Sequence, residues 1–353
     1  MENIMQQNKQ RQKLFKQLDD IYQKTNYNGA YGIVTDQEIL HVHAMGYSDF
    51  DRKNPFTTTT KTCIGSLTKQ FTATALLMLA AEHKIDLTAT LAEFYPTYVH
   101  VKDITLLQMI HMSSGIPNYT DIIYDESLKK ARAQGLSEAE AHYLATKELD
   151  DNSSTWAEII DLLNGQPLAF QPGEKFSYSN TNYGLLGEII SRISGKSFGD
   201  YFQETIFTPL QMNHTSTTSL DSQAVSYRWV DGKRRRFETG CLDSADGGMV
   251  STVADMLKWM QAILNQQLLS PTDWDRTFTL WHNPYGFGWM ALDDWYYHGG
   301  EYLGFYAEIF LHRETKVGKI MLYNLEAESD FDQLSMDECS AWRSELVRVL
   351  QTH

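Results

Sequence analysis

The stretch Thr62-Cys63-Ile64-Gly65-Ser66-Leu67-Thr68-Lys69-Gln70-Phe71 joins a strand-like run to a helical one that continues through Leu79-Ala80. Residues three positions apart share one face of a helix, so we expect the amine of Lys69 beside the hydroxyl of Ser66. A serine hydroxyl attacks a carbonyl only when a neighbouring group takes its proton. At the start of a helix, free backbone N–H groups also favour a developing negative charge. The stretch therefore predicts a serine nucleophile with its base one turn away.

The same Ser-x-x-Lys spacing occurs a second time, in Ser127-Leu128-Lys129-Lys130. That match lies among many charged residues, and we expect its side chains to lie in solvent on an exposed helix face. The helix after Ser66 is instead apolar almost all round, which is typical of a buried central helix. A lysine in such a helix needs a specific role, because burying a charge is costly. We therefore predict that, of the two Ser-x-x-Lys matches, the one with Ser66 and Lys69 is catalytic.

The composition disfavours several classes of protein. The chain has 353 residues, 42% of them hydrophobic, and a formal net charge of −15. Such a length allows a large core and about two domains. The negative charge disfavours binding to nucleic acid and to anionic membranes, and no apolar stretch is long enough to span a bilayer. A small-molecule or peptide-like substrate is the expected partner, and the oligomeric state is left open.

The cysteines and the first residues bear on the cellular compartment. Cys63, Cys241 and Cys339 are odd in number and far apart in the sequence. This pattern indicates reduced thiols and offers no disulfide or metal framework. Residues 1–25 contain no apolar run that fits the core of a signal peptide. We therefore expect a cytoplasmic protein, with a secreted protein whose leader has been trimmed as the alternative.

The predicted elements follow the order strands, helices, strands. A helix at 4–25 precedes a hairpin at 29–44, and helices dominate from about 66 to 235. The helices predicted in that region are 66–83, 104–112, 137–149, 155–163, 183–194 and 198–206. After it come the predicted strands 294–298, 304–311 and 318–324 and a helix near 332–351. The fold class is therefore α+β, with an antiparallel sheet flanked by N- and C-terminal helices and an inserted mainly helical domain.

The domain boundaries follow from the same order. We predict a sheet domain of residues 1–65 and 236–353, and a mainly helical domain of residues 66–235. The most polar part of the helical region is expected to form a cap insertion near 120–155. Ser66 falls at the junction of the two domains, where clefts commonly form. We therefore expect the active site at that junction.

His41 and His43 are two positions apart in the predicted hairpin and so share one face of a strand. We interpret them as partly exposed strand residues. A metal site would need further ligands that the sequence does not reveal.

Two further motifs supply groups that a serine nucleophile requires. Tyr178-Ser179-Asn180 follows a Pro-Gly turn and precedes a helix, so we expect Tyr178 on a loop as a second proton-transfer group. His298-Gly299-Gly300 ends an aromatic strand, where adjacent glycines allow a substrate to approach and present a backbone N–H to an oxyanion. Lys316-Val317-Gly318 is an alternative candidate for the third motif, because it also has a cation two positions before a glycine. It lies in a charged turn, and we expect Lys316 to be solvated.

In this order, Ser66-x-x-Lys69, Tyr178-x-Asn180 and His298-x-Gly300 resemble the three motifs of the serine beta-lactamase and penicillin-binding protein superfamily, in its class C branch. The resemblance extends over roughly residues 29 to 324. The neighbouring segments that carry it are 104–117, 170–174, 208–212 and 247–252. It implies a beta-lactamase/transpeptidase-like fold.

The resemblance also implies a role for each motif residue. Ser66 would be the acylated nucleophile, Lys69 and Tyr178 would share its proton, and Asn180 would orient Lys69 and the substrate amide. The oxyanion would lie between the backbone N–H groups of Ser66 and Glu301, with no metal and no organic cofactor. For Lys69 to act as base near pH 7, its pKa must fall by about 3 units. Tyr178 as a phenolate needs a similar drop, so either residue is a candidate for the general base.

The third motif departs from the family pattern. Class C beta-lactamases usually carry Lys-Thr-Gly where this chain has His298-Gly299-Gly300, which is more similar to certain D-aminopeptidases, DD-peptidases and esterases. Gly299 offers no hydroxyl to a substrate carboxylate, and His298 is expected to be mostly neutral at pH 7. We therefore predict a serine hydrolase that acts on an ester or amide through an acyl-enzyme, as an esterase, a D-amino-acid peptidase or a weak beta-lactamase. The alternative is a penicillin-binding or sensing protein that is acylated slowly and turns over little.

Overall fold

The computed structural model describes residues 2–25, 27–237, 243–281, 284–325 and 331–351, and it describes their side chains except in 2–7 and 331–339. Cys241 and the side chain of Cys339, for which reduced thiols were predicted, lie outside this part. The third cysteine, Cys63, is a buried free thiol.

Strands are concentrated toward the two ends of the described chain, and helices dominate its middle. The strands are β1 Gly29–Thr35, β2 Ile39–Met45, β3 Tyr47–Asp49, β4 Asn54–Pro55, β5 Thr62–Cys63, β6 Ser226–Val230, β7 Lys233–Phe237, β8 Val250–Ser251, β9 Met290–Leu292, β10 Trp295–Tyr302, β11 Phe305–His312 and β12 Val317–Tyr323. The helices are α1 Glu2–Lys24, α2 Thr68–Ala81, α3 Leu106–Ile110, α4 Tyr119–Ala133, α5 Glu138–Asp150, α6 Trp156–Asn164, α7 Asn180–Ser194, α8 Phe198–Phe202, α9 Val253–Leu264, α10 Pro271–Phe278 and α11 Phe331–Gln351.

A six-stranded sheet built from both halves of the chain is the centre of the fold. Its strand order is β2-β1-β12-β11-β10-β9, and every neighbouring pair is antiparallel. The predicted strand 294–298 extends further, to Tyr302, because Gly299 and Gly300 remain paired with β11 instead of ending the strand. The predicted α+β class with an antiparallel sheet is confirmed.

The first face of the sheet is covered by the terminal helices. Leu18 and Tyr22 of α1 and Leu346 of α11 are fully buried in one apolar cluster with Tyr31 of β1. Removing such side chains from water is the main favourable term that holds the helices to the sheet. The predicted flanking of the sheet by N- and C-terminal helices is therefore confirmed.

The opposite face packs on α9, a helix that the sequence analysis did not predict. Leu257 and Met260 of α9 join the main core with β-strand residues such as Ile320. The same core continues into α2, where every residue from Thr68 to Leu77 is buried. A helix that is apolar on all sides is expected at the centre of a large core.

Helix α4 and the strands β6 and β7, which lie between residues 119 and 237, were not predicted from the sequence. Helix α4 packs against α5 through a small apolar cluster of its own. The hairpin of β6 and β7 turns at Asp231 and Gly232, both of which have positive φ. Asp-Gly is a strong signal for such a turn, but the four charged residues of β7 conceal the strand pattern. Along the described ranges, no helix carries an apolar run that could cross a bilayer.

Candidate active site

Ser66 lies in a short 3₁₀ turn, Gly65–Leu67, between β5 and α2. The predicted helix began at Ser66, whereas α2 begins at Thr68. Gly65 has φ of +51°, and a Cβ there would lie 2.7 Å from the backbone nitrogen of Glu301. Only glycine fits this left-handed and crowded position. The turn therefore brings Ser66 against strand β10, and the side chain of Ser66 is partly exposed.

Lys69 is fully buried below Ser66, and in its ammonium form it donates three hydrogen bonds. Its Nζ lies 2.9 Å from Ser66 Oγ, 2.7 Å from Asn180 Oδ1 and 2.6 Å from the backbone carbonyl of Asp246. An ammonium has three protons to donate, so these acceptors fix the position of the amine. The local Ser-x-x-Lys contact arises from the helical spacing, and the other two contacts depend on the fold.

Burial changes the protonation of this amine. Desolvation lowers the pKa of Lys69 from its ordinary value to about 7, and the charge of Asp246 opposes the shift. Burial also raises the pKa of the Asp246 carboxyl, against the effect of Lys69 and of a hydrogen bond from Ser244. A large fraction of Lys69 is therefore neutral near pH 7, as a general base requires.

Tyr178 lies on the loop before α7, with its ring centroid 4.9 Å from Lys69 Nζ. Its hydroxyl is hydrogen-bonded to the side chain of Ser66. Burial raises the pKa of Tyr178 above its ordinary value, and the contact with Ser66 only partly offsets this. The phenol is therefore protonated at neutral pH and can donate a proton rather than accept one.

Asn180 is the first residue of α7 and connects Lys69 to the start of α4. Its Oδ1 accepts from Lys69, while its Nδ2 donates to Thr120 Oγ1 at 3.1 Å. Its backbone N–H donates to Asn118 Oδ1 at 2.9 Å. Because both donors of the residue are engaged by the segment that begins α4, its amide has a single orientation toward Lys69.

The imidazole of His298 is buried behind Tyr178. Its Nδ1 lies 2.6 Å from the carbonyl of Gly299, and its Nε2 lies 2.8 Å from the hydroxyl of Tyr285. A carbonyl only accepts, so Nδ1 carries the proton and Nε2 accepts from Tyr285. Burial, together with the charge of Lys69, lowers the pKa of His298 to about 3. The third motif therefore presents a neutral ring.

The two glycines of the third motif have different surroundings. A Cβ on Gly300 would lie 2.1 Å from the carbonyl oxygen of Ile64 and 3.2 Å from the nitrogen of Ser66. A Cβ on Gly299 would meet only the hydroxyl of Tyr297, at 3.9 Å. Gly300 therefore makes room for the Gly65–Leu67 turn, whereas Gly299 faces open space. Glu301 follows in the same strand with an exposed side chain.

A cavity of about 650 Å³ lies over Ser66. Ser66, Tyr178, Asn180 and the third motif line it from one side, and helices α4 and α5 line it from the other. Arg228 of β6 also reaches the cavity, where it pairs with Glu301. A cavity of this size fits a small organic or peptide-like ligand.

Two residues of the site were not identified from the sequence. Asp246 supplies both a carbonyl and a carboxyl next to Lys69, and Tyr285 hydrogen-bonds to His298. A buried lysine does indicate that an acidic partner exists, but the sequence contains no spacing that selects Asp246. Tyr285 is brought in by the fold alone.

The competing sequence candidates lie elsewhere. Lys130 of the second Ser-x-x-Lys match is exposed and lies 3.5 Å from Glu148, and Lys316 is exposed and pairs with Asp36 at 3.0 Å. Among the described residues, the clusters of His, Cys, Asp and Glu that are close enough to share a metal ion include none that lines the cavity.

The Beta-lactamase family model matches residues 11–336, which is most of the chain. Protein flp from Staphylococcus aureus (strain MW2) is 27% identical over 318 residues, which are 84% of this chain and 59% of flp. The chain thus spans about three fifths of the length of that relative.

The solved structures that are similar to this chain include two with a TM-score of 0.76. FmtA from Staphylococcus aureus has a TM-score of 0.76 at 19% identity, covering 95% of this chain and 89% of FmtA. D-amino acid amidase from Ochrobactrum anthropi SV3, in complex with L-phenylalanine amide, has a TM-score of 0.76 at 22% identity, covering 98% and 99% of the two chains. At these identities, the two likenesses concern the fold.

Proposed function

Because this chain belongs to the Beta-lactamase family, we propose that it is a serine hydrolase that cleaves an ester or amide through an acyl-enzyme on Ser66. The observation that carries the proposal is the 2.9 Å contact between Ser66 Oγ and the fully buried amine of Lys69, whose pKa is lowered to about 7. A neutral amine at that distance is a base within reach of the hydroxyl proton.

In the first step, Ser66 Oγ attacks the substrate carbonyl carbon and its proton passes to the neutral amine of Lys69. The carbonyl oxygen becomes an oxyanion, for which the backbone N–H groups of Ser66 and Glu301 are the proposed donors. Both groups belong to segments in direct contact, since β10 packs against the Gly65–Leu67 turn.

In the second step, the tetrahedral intermediate collapses and the bond to the leaving group breaks. The leaving oxygen or nitrogen takes the proton of the Tyr178 phenol, and Tyr178 takes one from the ammonium of Lys69. Support for this transfer comes from Ser66, whose side chain hydrogen-bonds both to Lys69 Nζ and to the hydroxyl of Tyr178. Water then attacks the ester on Ser66 with the same two groups as base and acid, which restores the free enzyme.

The charges around the cavity favour a substrate that carries an amine. The carboxylates in the lining are Asp150, Asp246, Glu301 and Glu308. Arg228 is a basic side chain of the same lining, and it pairs with Glu301. The nearby amine of Lys69 is partly neutral. A cavity with an excess of one sign of charge concentrates ligands of the other sign. The name of the related D-amino acid amidase is in line with this preference.

We therefore expect a ranking of substrates by charge. For p-nitrophenyl esters of ε-aminocaproate, caproate and adipate, kcat/KM should fall in that order, with the cationic ester about tenfold or more above the anionic one. Added salt should narrow the gap, because it screens the carboxylates. The rates in hydroxide without protein correct for intrinsic reactivity. An anionic ester that reacts as fast as the cationic one would refute the amine preference and leave the nucleophile untested by this measurement.

Labelling tests the nucleophile directly. A fluorophosphonate should add once per chain, with the adduct mapped by mass spectrometry to Ser66, and Ser66→Ala should remove both labelling and ester hydrolysis. Ser127→Ala, in the second Ser-x-x-Lys match, is the matched control and should label like the parent chain. Labelling of Ser66→Ala at the parental rate would reject the proposal. Stable acylation by esters without repeated turnover would instead favour the slowly acylated binding or sensing protein.

A further inference from the structure

A cluster of potential metal ligands lies on the other face of the sheet, far from the chemistry of Ser66. His41 and His43 of β2 point to the face that α1 covers, and Asp19 of α1 meets them there. His41 Nε2 lies 2.8 Å and His43 Nδ1 lies 3.7 Å from Asp19 Oδ1. All three ligand atoms lie within 4.8 Å of one another. The third ligand that the sequence could not reveal is thus supplied by a helix packed over the hairpin.

These distances suit a small cation. Zinc binds histidine nitrogen and carboxylate oxygen at about 2.0–2.2 Å in a tetrahedral arrangement, so neighbouring ligand atoms lie about 3.3 Å apart. The separations of 2.8 and 3.7 Å to Asp19 bracket that value. A small rotation of the half-exposed His43 ring would complete the arrangement, and a water molecule would take the fourth position.

The neighbours of the cluster hold its ligands in place. The hydroxyl of Tyr31, on β1, donates to the Asp19 carboxylate. Hydrogen bonds of this kind to a ligating carboxylate orient it toward a metal. The ring of Phe15 stacks on that of His41, with centroids 4.9 Å apart. A surface groove of about 420 Å³ between α1 and β2 reaches Asp19 and His41, so an ion has access from solvent.

We propose that Asp19, His41 and His43 form a zinc site that joins helix α1 to the edge strand β2. Bound zinc would link two elements that are otherwise held by the apolar cluster of α1 and by hydrogen bonds to Asp19. A ligand that binds only the folded chain stabilises it by mass action. Zinc should therefore raise the thermal midpoint of unfolding without taking part in the reaction of Ser66.

The test uses the whole chain, free of tags and treated with a chelator. Titration with zinc chloride in a calorimeter should give about one ion per chain, and zinc should raise the midpoint of thermal unfolding. Cobalt(II) at the same site should give the intense visible absorption of a tetrahedral complex. His43→Gln should lower the zinc affinity about tenfold or more, and Asp19→Asn, which keeps the shape of the side chain, should do the same.

The matched control is His142→Gln. His142 lies on the surface 3.5 Å from Glu138, so it also has a carboxylate neighbour, but the pair is not part of a group of three donors among the described residues. This variant should bind zinc like the parent chain. Equal zinc binding by the parent chain, His43→Gln and Asp19→Asn would overturn the proposal. Absence of binding to the parent chain would also overturn it and would leave a hydrogen-bonded cluster that holds α1 on the sheet.

Discussion

Lys69→Met is expected to slow the acylation of Ser66 by about 100-fold to 10,000-fold, because the variant loses the group that takes the hydroxyl proton. Methionine matches the length of the buried stem and adds no charge, so the packing around α2 is largely kept. The rate is measured as the first-order appearance of p-nitrophenol from an activated ester, with circular dichroism to verify that the variant is folded. Tyr178 cannot replace the base at neutral pH, because burial raises its pKa.

The chain provides a matched control for this substitution. Lys130 stands three positions after Ser127, as Lys69 stands after Ser66, but it is exposed and pairs only with Glu148 among the contacts described. Lys130→Met should hydrolyse the ester at the parental rate. A folded Lys69→Met that acylates at more than about a tenth of the parental rate would remove Lys69 from the role of base.

The amine of Lys69 also determines how the acylation rate of the parent chain should change with pH. Below its pKa of about 7, Lys69 is protonated and cannot accept the proton of Ser66. The acylation rate should therefore fall about tenfold per unit as the pH drops below that value, and it should level off above it. His298, with a pKa lowered to about 3, does not titrate in this range. An acylation rate that stays constant between about pH 5 and pH 7 would contradict a base with that pKa.

Gly300→Ala is expected to lower both stability and activity, and to do so more than Gly299→Ala, the other glycine substitution in the third motif. The new Cβ would lie 2.1 Å from the carbonyl oxygen of Ile64, a backbone atom that cannot rotate away. Strand β10 would have to move from the Gly65–Leu67 turn, at a cost of about 1–3 kcal/mol in the free energy of unfolding. A displacement of about 1 Å in a reacting group can cost about 100-fold in rate. Urea unfolding and ester hydrolysis measure the two effects.

Gly299→Ala separates this clash from a general effect of adding a methyl group to the strand. A Cβ at Gly299 meets only the Tyr297 hydroxyl, at 3.9 Å, so the free energy of unfolding should stay within about 0.5 kcal/mol of the parental value. If Gly300→Ala were as stable and as active as the parent chain, the close packing of β10 on the Ser66 turn would not be needed for function.

The parts of the site that were predictable from the sequence are those in which short spacing fixes the geometry. Lys69 meets Ser66 because the 3₁₀ turn of Ser66 runs directly into α2, which leaves the two residues one turn apart, and Asn180 follows Tyr178 at the start of α7. The resemblance in motif order then indicated that these segments meet. Family membership and the α+β class are shown, while the role of each site residue, the domain boundaries and the cytoplasmic location stay predictions.

The parts that could not be predicted depend on contacts between distant segments. Asp246 reaches Lys69 across 177 positions of sequence, and Tyr285 reaches His298 from a loop without a motif. The role predicted for Gly300 also differs from the one that the structure indicates. We expected the two glycines to admit a substrate, whereas the space at Gly300 is filled by the carbonyl of Ile64. Period and propensity describe a segment, and they do not specify which other segment lies against it.

The pairing of β1 with β12 also determines when the sheet, and with it the site, can form during synthesis. Gly29 lies opposite Tyr323, so β1, which is made early, cannot pair until β12 has been synthesised. Such distant pairings make folding slow, because a long loop must close before any contact is gained. On the ribosome, the Gly65–Leu67 turn emerges long before β10, which has to dock on it. A nascent chain therefore carries its serine for most of translation without a complete site around it.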